Sequence, residues 1–194
     1  MSMELSVQGK NAIVTGAAGN IGEACVRALA AAGANVLVAD MDAAAAERKA
    51  EKLQKEYPDV KLVPQVCDVT NKASVDAMVS AALEAFGRID ILNNIAGMST
   101  KVDFLEMPED IYDQMMDVNA KGTFLVDQAV LKAMIPNRSG KIVNMSSMSG
   151  KEGYPTNVAY SASIPTSGIG CWMMSPRPAA MRTLIGRNGS LRSP

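Results

Sequence analysis

The 194-residue sequence contains no histidine. That absence excludes Ser-His-Asp nucleophilic catalysis and His-ligated metal centres. Three cysteines, Cys25, Cys67 and Cys171, are widely spaced and odd in number. They make no disulfide framework and suit a reducing cytoplasm. No stretch approaches the roughly 18 apolar residues that a membrane helix requires. The first ten residues, MSMELSVQGK, lack a basic end followed by an apolar run, so no secretory leader is expected. Neither sign of charge dominates, with 19 basic and 20 acidic residues for a net of −1. A globally basic nucleic-acid binder is thereby excluded, and a 48% hydrophobic composition is too apolar for a disordered chain.

What is present divides into two parts. Residues 1–163 carry all 20 acidic residues and 15 of the basic ones, while residues 164–194 carry four Arg, four Pro, no Lys and no acid. The net charges are therefore −5 and +4. The first part alternates strand and helix signals. Ala12–Thr15, Val36–Ala39, Leu62–Val66, Ile89–Leu92 and Ile142–Met145 are strand-like. Ile21–Ala32, Met41–Lys55, Val75–Phe86 and a long run from Pro108 to Met134 have helical spacing or composition. Strands interleaved with helices predict a doubly wound parallel α/β sheet of the Rossmann type, with strand order 3-2-1-4-5. The tail lacks this pattern. Its breaker clusters at Ile164–Gly168 and Ser175–Pro178 predict an irregular segment, with Ala179–Ile185 the one stretch suited to a short helix. If the tail does not pair with it, the fifth strand is an exposed apolar edge.

The first strand ends in Thr15-Gly16-Ala17-Ala18-Gly19-Asn20-Ile21-Gly22. Glycines before a helix N-terminus let backbone amides approach a pyrophosphate, where the helix dipole favours an anion. Asp40 closes the second strand 18 residues after Gly22, where a carboxylate can accept hydrogen bonds from an adenosine ribose. The same carboxylate repels a 2′-phosphate, and Ala18 and Gly19 offer no cation to hold one. NAD is expected in preference to NADP. Gly16, Asn20, Ile21, Gly22, Asp40 and Met41 are the candidate residues of this half.

Here the sequence resembles the short-chain dehydrogenase/reductase family. Thr15, Gly16 and Gly22 match its glycine turn, Asn20 stands where the middle glycine is usual, and Gly19 comes one place early. Asp68-Val69 matches the pair that meets the adenine ring. Asn94-Ile95-Ala96-Gly97 matches the Asn-Asn-Ala-Gly turn, with Ile95 in place of the second Asn. Asn119, Ser147 and Tyr160 match the asparagine, serine and tyrosine of the catalytic tetrad. Taken singly, Asn94 could cap a strand, Asn119 could be a satisfied helix amide, Ser147 could bond the backbone and Tyr160 could be a core tyrosine. The resemblance spans Gly9 to Ser163 in the family's order and spacing.

The resemblance implies hydride transfer between a nicotinamide cofactor and a secondary alcohol or its ketone. Tyr160 would exchange the proton, Ser147 orient the substrate oxygen and Asn119 support a water. A free phenol has a pKa of about 10 and is a poor base at neutral pH without help. In the family a lysine four residues after the tyrosine supplies it, and here that position is Ile164, followed by Pro165. Residues 164–194 are accordingly read as other than the family's own continuation. A shifted reading frame or alternative coding end accounts for the change. The glycine-turn variant and Asp40 look like the family's polyol dehydrogenases, while acyl-thioester reductases and hydroxysteroid dehydrogenases stay open. The rival reading is an impaired dinucleotide-binding remnant. The implied partners are a small alcohol or ketone and a second copy of the chain through the long central helix. Neither nucleic acid nor membrane is implied.

Overall fold

The computed structural model describes residues 6–153 and 155–164, together with the backbone of 170–174 and 181–183. The leader reading rests partly on residues 1–5, and most of the tail's breaker clusters fall after Ile164; both lie outside the described residues. The elements run β1 (Asn11–Thr15), α1 (Asn20–Ala31), β2 (Asn35–Asp40), α2 (Ala43–Glu56), β3 (Leu62–Val66), α3 (Lys72–Phe86) and β4 (Ile91–Asn94). They continue with α4 (Glu109–Met115), a π-helical segment (Met116–Gly122), α5 (Thr123–Met134), β5 (Gly140–Asn144), α6 (Val158–Ser163), β6 (Gly170–Met174) and β7 (Met181–Thr183).

Helix starts follow local chemistry. Asp42 caps α2 by accepting from the Ala45 amide at 2.9 Å, and Asn71 caps α3 by accepting from Ala73 and Ser74. Gly87, at φ 79°, ends α3 in a left-handed turn. Helix α1 differs, because Gly19 offers no side-chain cap and leaves the first-turn amides for another acceptor.

The sheet order is β3-β2-β1-β4-β5-β6-β7, with the first five strands parallel. All five residues of β1 are buried, as a strand covered on both faces requires. Alternation divides its side chains between two cores. Ile13 packs with Leu37, Met78, Leu92, Val126 and Met134 beneath α3 and α5. Ala12 and Val14 pack with Val26, Val36, Val38 and Leu53 beneath α1 and α2. Strand order reverses between β1 and β4, which opens the crevice where such sheets bind ligands. Register aligns Thr15 with Asn94, and Asn94 with Asn144, along the carboxyl ends of the strands.

Two expectations change. The long helix begins after Pro108, and its middle widens into the π-helical segment, which carries Asn119 into the interior at 3% exposure. Single π turns of this kind commonly mark functional sites. Gly122 closes the segment, where a Cβ would stand 2.8 Å from Val69 Cγ2. The tail is also not irregular throughout: β6 runs antiparallel to β5 and β7 antiparallel to β6, so 181–183 is strand and not helix. Strand β6 pairs Gly170 with Asn144 and runs backwards along the edge of β5 that would otherwise be open.

Candidate functional site

The glycine turn is built for close approach. Gly16 has φ +61°, and a Cβ there would stand 2.9 Å from the Ala96 Cα, while a Cβ on Gly22 would overlap the Gly16 carbonyl. Only hydrogen fits at either place. The Gly19 carbonyl accepts from the Glu23 amide and starts α1, whose uncapped N-terminus faces the turn. Asp40 is fixed at both carboxylate oxygens, with Oδ2 accepting from the Ala18 amide at 2.9 Å and Oδ1 from the Asp42 amide at 3.1 Å. The ribose-binding candidate is thus tied directly to the phosphate-binding candidate. Sequence spacing did not reveal this link.

An apolar rim surrounds these groups. Met41, Ile21 and Val66 are 76%, 57% and 51% exposed at the carboxyl ends of their strands or the start of α1. Such exposure fits a flat heteroaromatic ring as the missing neighbour. Val69 is buried against Gly122, and Asp68 accepts from both the amide and the hydroxyl of Thr70. The glycine cradle, free helix terminus, fixed carboxylate and apolar rim together fit the adenosine diphosphate portion of a dinucleotide.

The second half of the site begins at Thr15. Its hydroxyl donates to Asn94 Oδ1 at 2.7 Å and accepts from the Ile95 and Ala96 amides at 3.1 and 3.2 Å. The 94–97 turn is thereby anchored to β1. Asn119 grips the next loop, with Oδ1 accepting from the Met98 amide at 2.8 Å and Nδ2 donating to the Met98 carbonyl at 2.9 Å. Nδ2 also donates to Ser163 Oγ at 2.8 Å, and the Thr123 hydroxyl donates to the Asn119 carbonyl at 2.7 Å.

Tyr160, Asn119, Gly97, Ala96, Ser146 and Ile164 line one cleft of about 180 Å³. Ser147 starts the following short turn, where its Oγ accepts from the Ser149 amide at 3.2 Å. Ser146 is the serine on the cleft wall. Ile164 is 8% exposed and extended at φ −87°, ψ 129°, the conformation a following proline favours. An aliphatic side chain therefore stands in the cleft where the resemblance calls for an ammonium, and none of the described lining residues is cationic.

Two residues of the site, Asp127 and Ser163, carried no sequence signal. Asp127 on α5 accepts from Asn144 Nδ2 at 2.7 Å and lies 3.5 Å from Asn94 Nδ2. Burial pushes its carboxyl up from the usual value, and the two amide contacts partly oppose that shift. Ser163 supports Asn119. Their roles arise from register and helix packing, which no local motif records. Among the described residues there is no cluster of metal-ligating side chains, and no helix is long and apolar enough to cross a membrane.

Comparison with known proteins agrees with this geometry. The short chain dehydrogenase family model matches residues 10–164. The 5-keto-D-gluconate 5-reductase of Escherichia coli is 36% identical over 158 residues, covering 81% of this chain and 61% of the relative. The galactitol 2-dehydrogenase of Agrobacterium fabrum is 39% identical over 160 residues, covering 82% of this chain and 60% of the relative. A crystal structure of NAD+-bound xylitol dehydrogenase superposes with a TM-score of 0.77 at 35% identity, over 81% of this chain and 60% of that one. The chain thus spans about three fifths of the length of these relatives. With its glycine cradle, its 3-2-1-4-5 parallel sheet and a family match over most of its length, the chain belongs to the short-chain dehydrogenase family.

Proposed function

We propose that the chain binds NAD(H) through a complete adenosine half-site, and that it derives from enzymes interconverting a secondary alcohol of the polyol type and its ketone. The observation that carries the cofactor choice is the doubly anchored Asp40 carboxylate. It presents negative charge and acceptor lone pairs where a 2′-phosphate would bring like charge. Three of its relatives bear names of sugar-acid or sugar-alcohol enzymes, which supports the substrate class.

In this reading a bound nicotinamide supplies the hydride acceptor or donor. The amides at the start of α1 hold the pyrophosphate, Asp40 the adenosine ribose, and Met41 with Asp68-Val69 the adenine edge. Tyr160 exchanges the proton with the substrate oxygen, which a serine of the 146–147 pair orients. Asn119 holds the 97–99 loop and the floor of the cleft. No described residue lining the cleft is cationic, and Ile164 stands where the family has its lysine. Turnover by this chain is therefore very low.

That same residue favours a second reading, a dinucleotide-binding chain without turnover. Residues 1–163 form the dinucleotide unit, and the basic, proline-rich 164–194 stretch is not the family's own continuation. Exposed Phe124 and Tyr112 along the long helical run, at 58% and 39%, support a homo-oligomer through that helix. Calorimetry with NADH and NADPH tests the proposal. Micromolar NADH binding with at least tenfold weaker NADPH binding is expected. Equal affinities would remove the Asp40 assignment, and absence of both would remove the cofactor reading. NADH formation with a panel of polyols then separates slow turnover from none.

A further inference from the structure

We propose that Asp127 is a positioning residue that sets the nicotinamide side of the cleft by clamping the ends of β4 and β5 together from above. The clamp rests on register. Asn94 and Asn144 end adjacent parallel strands and pair directly with one another. Both turn their Nδ2 groups toward the single carboxylate on α5, at 3.5 and 2.7 Å. A carboxylate carries acceptors only, so it is the short side chain best matched to two converging N–H donors.

The clamped residues feed both walls of the cleft. Through Asn94 Oδ1 the network reaches the Thr15 hydroxyl, which holds the Ile95 and Ala96 amides. The Asn94 carbonyl accepts from the Met145 amide at 2.9 Å, and Met145 leads into Ser146 and Ser147. One acid therefore fixes the 94–97 turn and the serine-bearing segment relative to each other. Asp127 is absent from every described ion pair. A partly buried carboxylate without a cation is a poor stabilising device, which separates positioning from fold stability.

In its ligand-binding arm the inference rests on the NAD(H) reading; in its exchange arm it does not. Asp127→Ala and Asp127→Asn are compared with the wild-type chain by calorimetry with NADH and with ADP, which occupies only the adenosine half. Asp127→Ala should weaken NADH about tenfold, and Asp127→Asn about threefold because it retains one acceptor. ADP affinity should stay within twofold. Native-state hydrogen exchange without ligand should speed at the Ile95, Ala96 and Met145 amides, while Ile13 and Leu37 keep their rates. Equal losses of NADH and ADP, or exchange of the three amides that is unchanged or moves in step with Ile13 and Leu37, would overturn the proposal. If the alanine variant fails to fold, the asparagine variant decides. If the wild-type chain binds no NADH, the functional reading fails and the exchange arm alone decides the clamp.

Discussion

The two halves of this sheet are built from the same materials and end differently. On the β1–β3 side, strands, helices and turn close on one another. The core residues Val14, Val26, Val36, Val38 and Leu53 are fully buried, and both oxygens of Asp40 are held. Outside that core, Glu23 on α1 pairs with Lys49 and Lys52 on α2, and Arg27 pairs with Glu56. On the β4–β5 side, Asn119 and Tyr160, the proposed catalytic residues, reach one cleft. Ile164 is part of its lining, and among the described residues its volume of about 180 Å³ falls below the roughly 300 Å³ at which ligand pockets usually begin. The contrast teaches that, under the proposed function, the two sides are separately built: the adenosine side lies on the β1–β3 unit, and the cleft of the β4–β5 side has no cation among its described lining residues.

Gly22→Ala should produce the largest effect, because its Cβ would collide with the Gly16 carbonyl and force the turn open. NADH binding by calorimetry should fall below detection, and retained binding would mean that the cradle does not bind the cofactor. Ile164→Lys acts on the other half and should raise turnover about 10²-fold, the lower range for positioned acid–base help. Polyol-dependent NADH formation measures it. No gain would show that something other than the cation limits the cleft.

Asp40→Ala should weaken NADH about tenfold, near 1.4 kcal/mol, and bring NADPH to similar affinity. Unchanged selectivity would detach Asp40 from the ribose. The smallest effect lies outside the site. The hydrogen bonds from Lys49 and Lys52 hold the Glu23 carboxyl down to about 2 from an ordinary 4.5. A depressed carboxyl contributes stability above its unfolded pKa and loses it as pH falls through the folded one, here between about pH 4.5 and 2. Glu23→Gln should lower stability by about 0.5–1 kcal/mol at neutral pH, a partly exposed network being worth no more. The difference from wild type should shrink over that acid window in chemical denaturation. A constant difference would mean that Glu23 acts through packing.

Much of the fold was legible because its signals are local. The apolar runs of β1 and β2 and the helical stripe of α3 write their conformations within a few residues. The Thr15–Gly22 turn and Asp40 were legible for the same reason, since a phosphate cradle needs glycine at fixed places. The wide turn around Asn119 was not, because a π-helical segment leaves the apolar stripe of the long helix nearly unchanged. Strand β6 was missed because its pairing depends on the unpaired edge of β5 more than on its own composition. Asp127 belongs to no local motif. Only the pairing of Asn94 with Asn144 gives it two donors to hold.

By itself, the sequence determined the parallel sheet, the glycine turn, the carboxylate that follows it and the replacement of the expected lysine by Ile164. Each is a choice of residue type at a short, fixed spacing. The tertiary structure decided what those residues meet: that Asp40 is tied to the Ala18 amide, that Ile164 is buried in the Tyr160 cleft, and that an acid on α5 joins two strand ends. Contacts between residues 17 to 33 positions apart follow from sheet register and helix packing, and these are fixed only when the whole core closes.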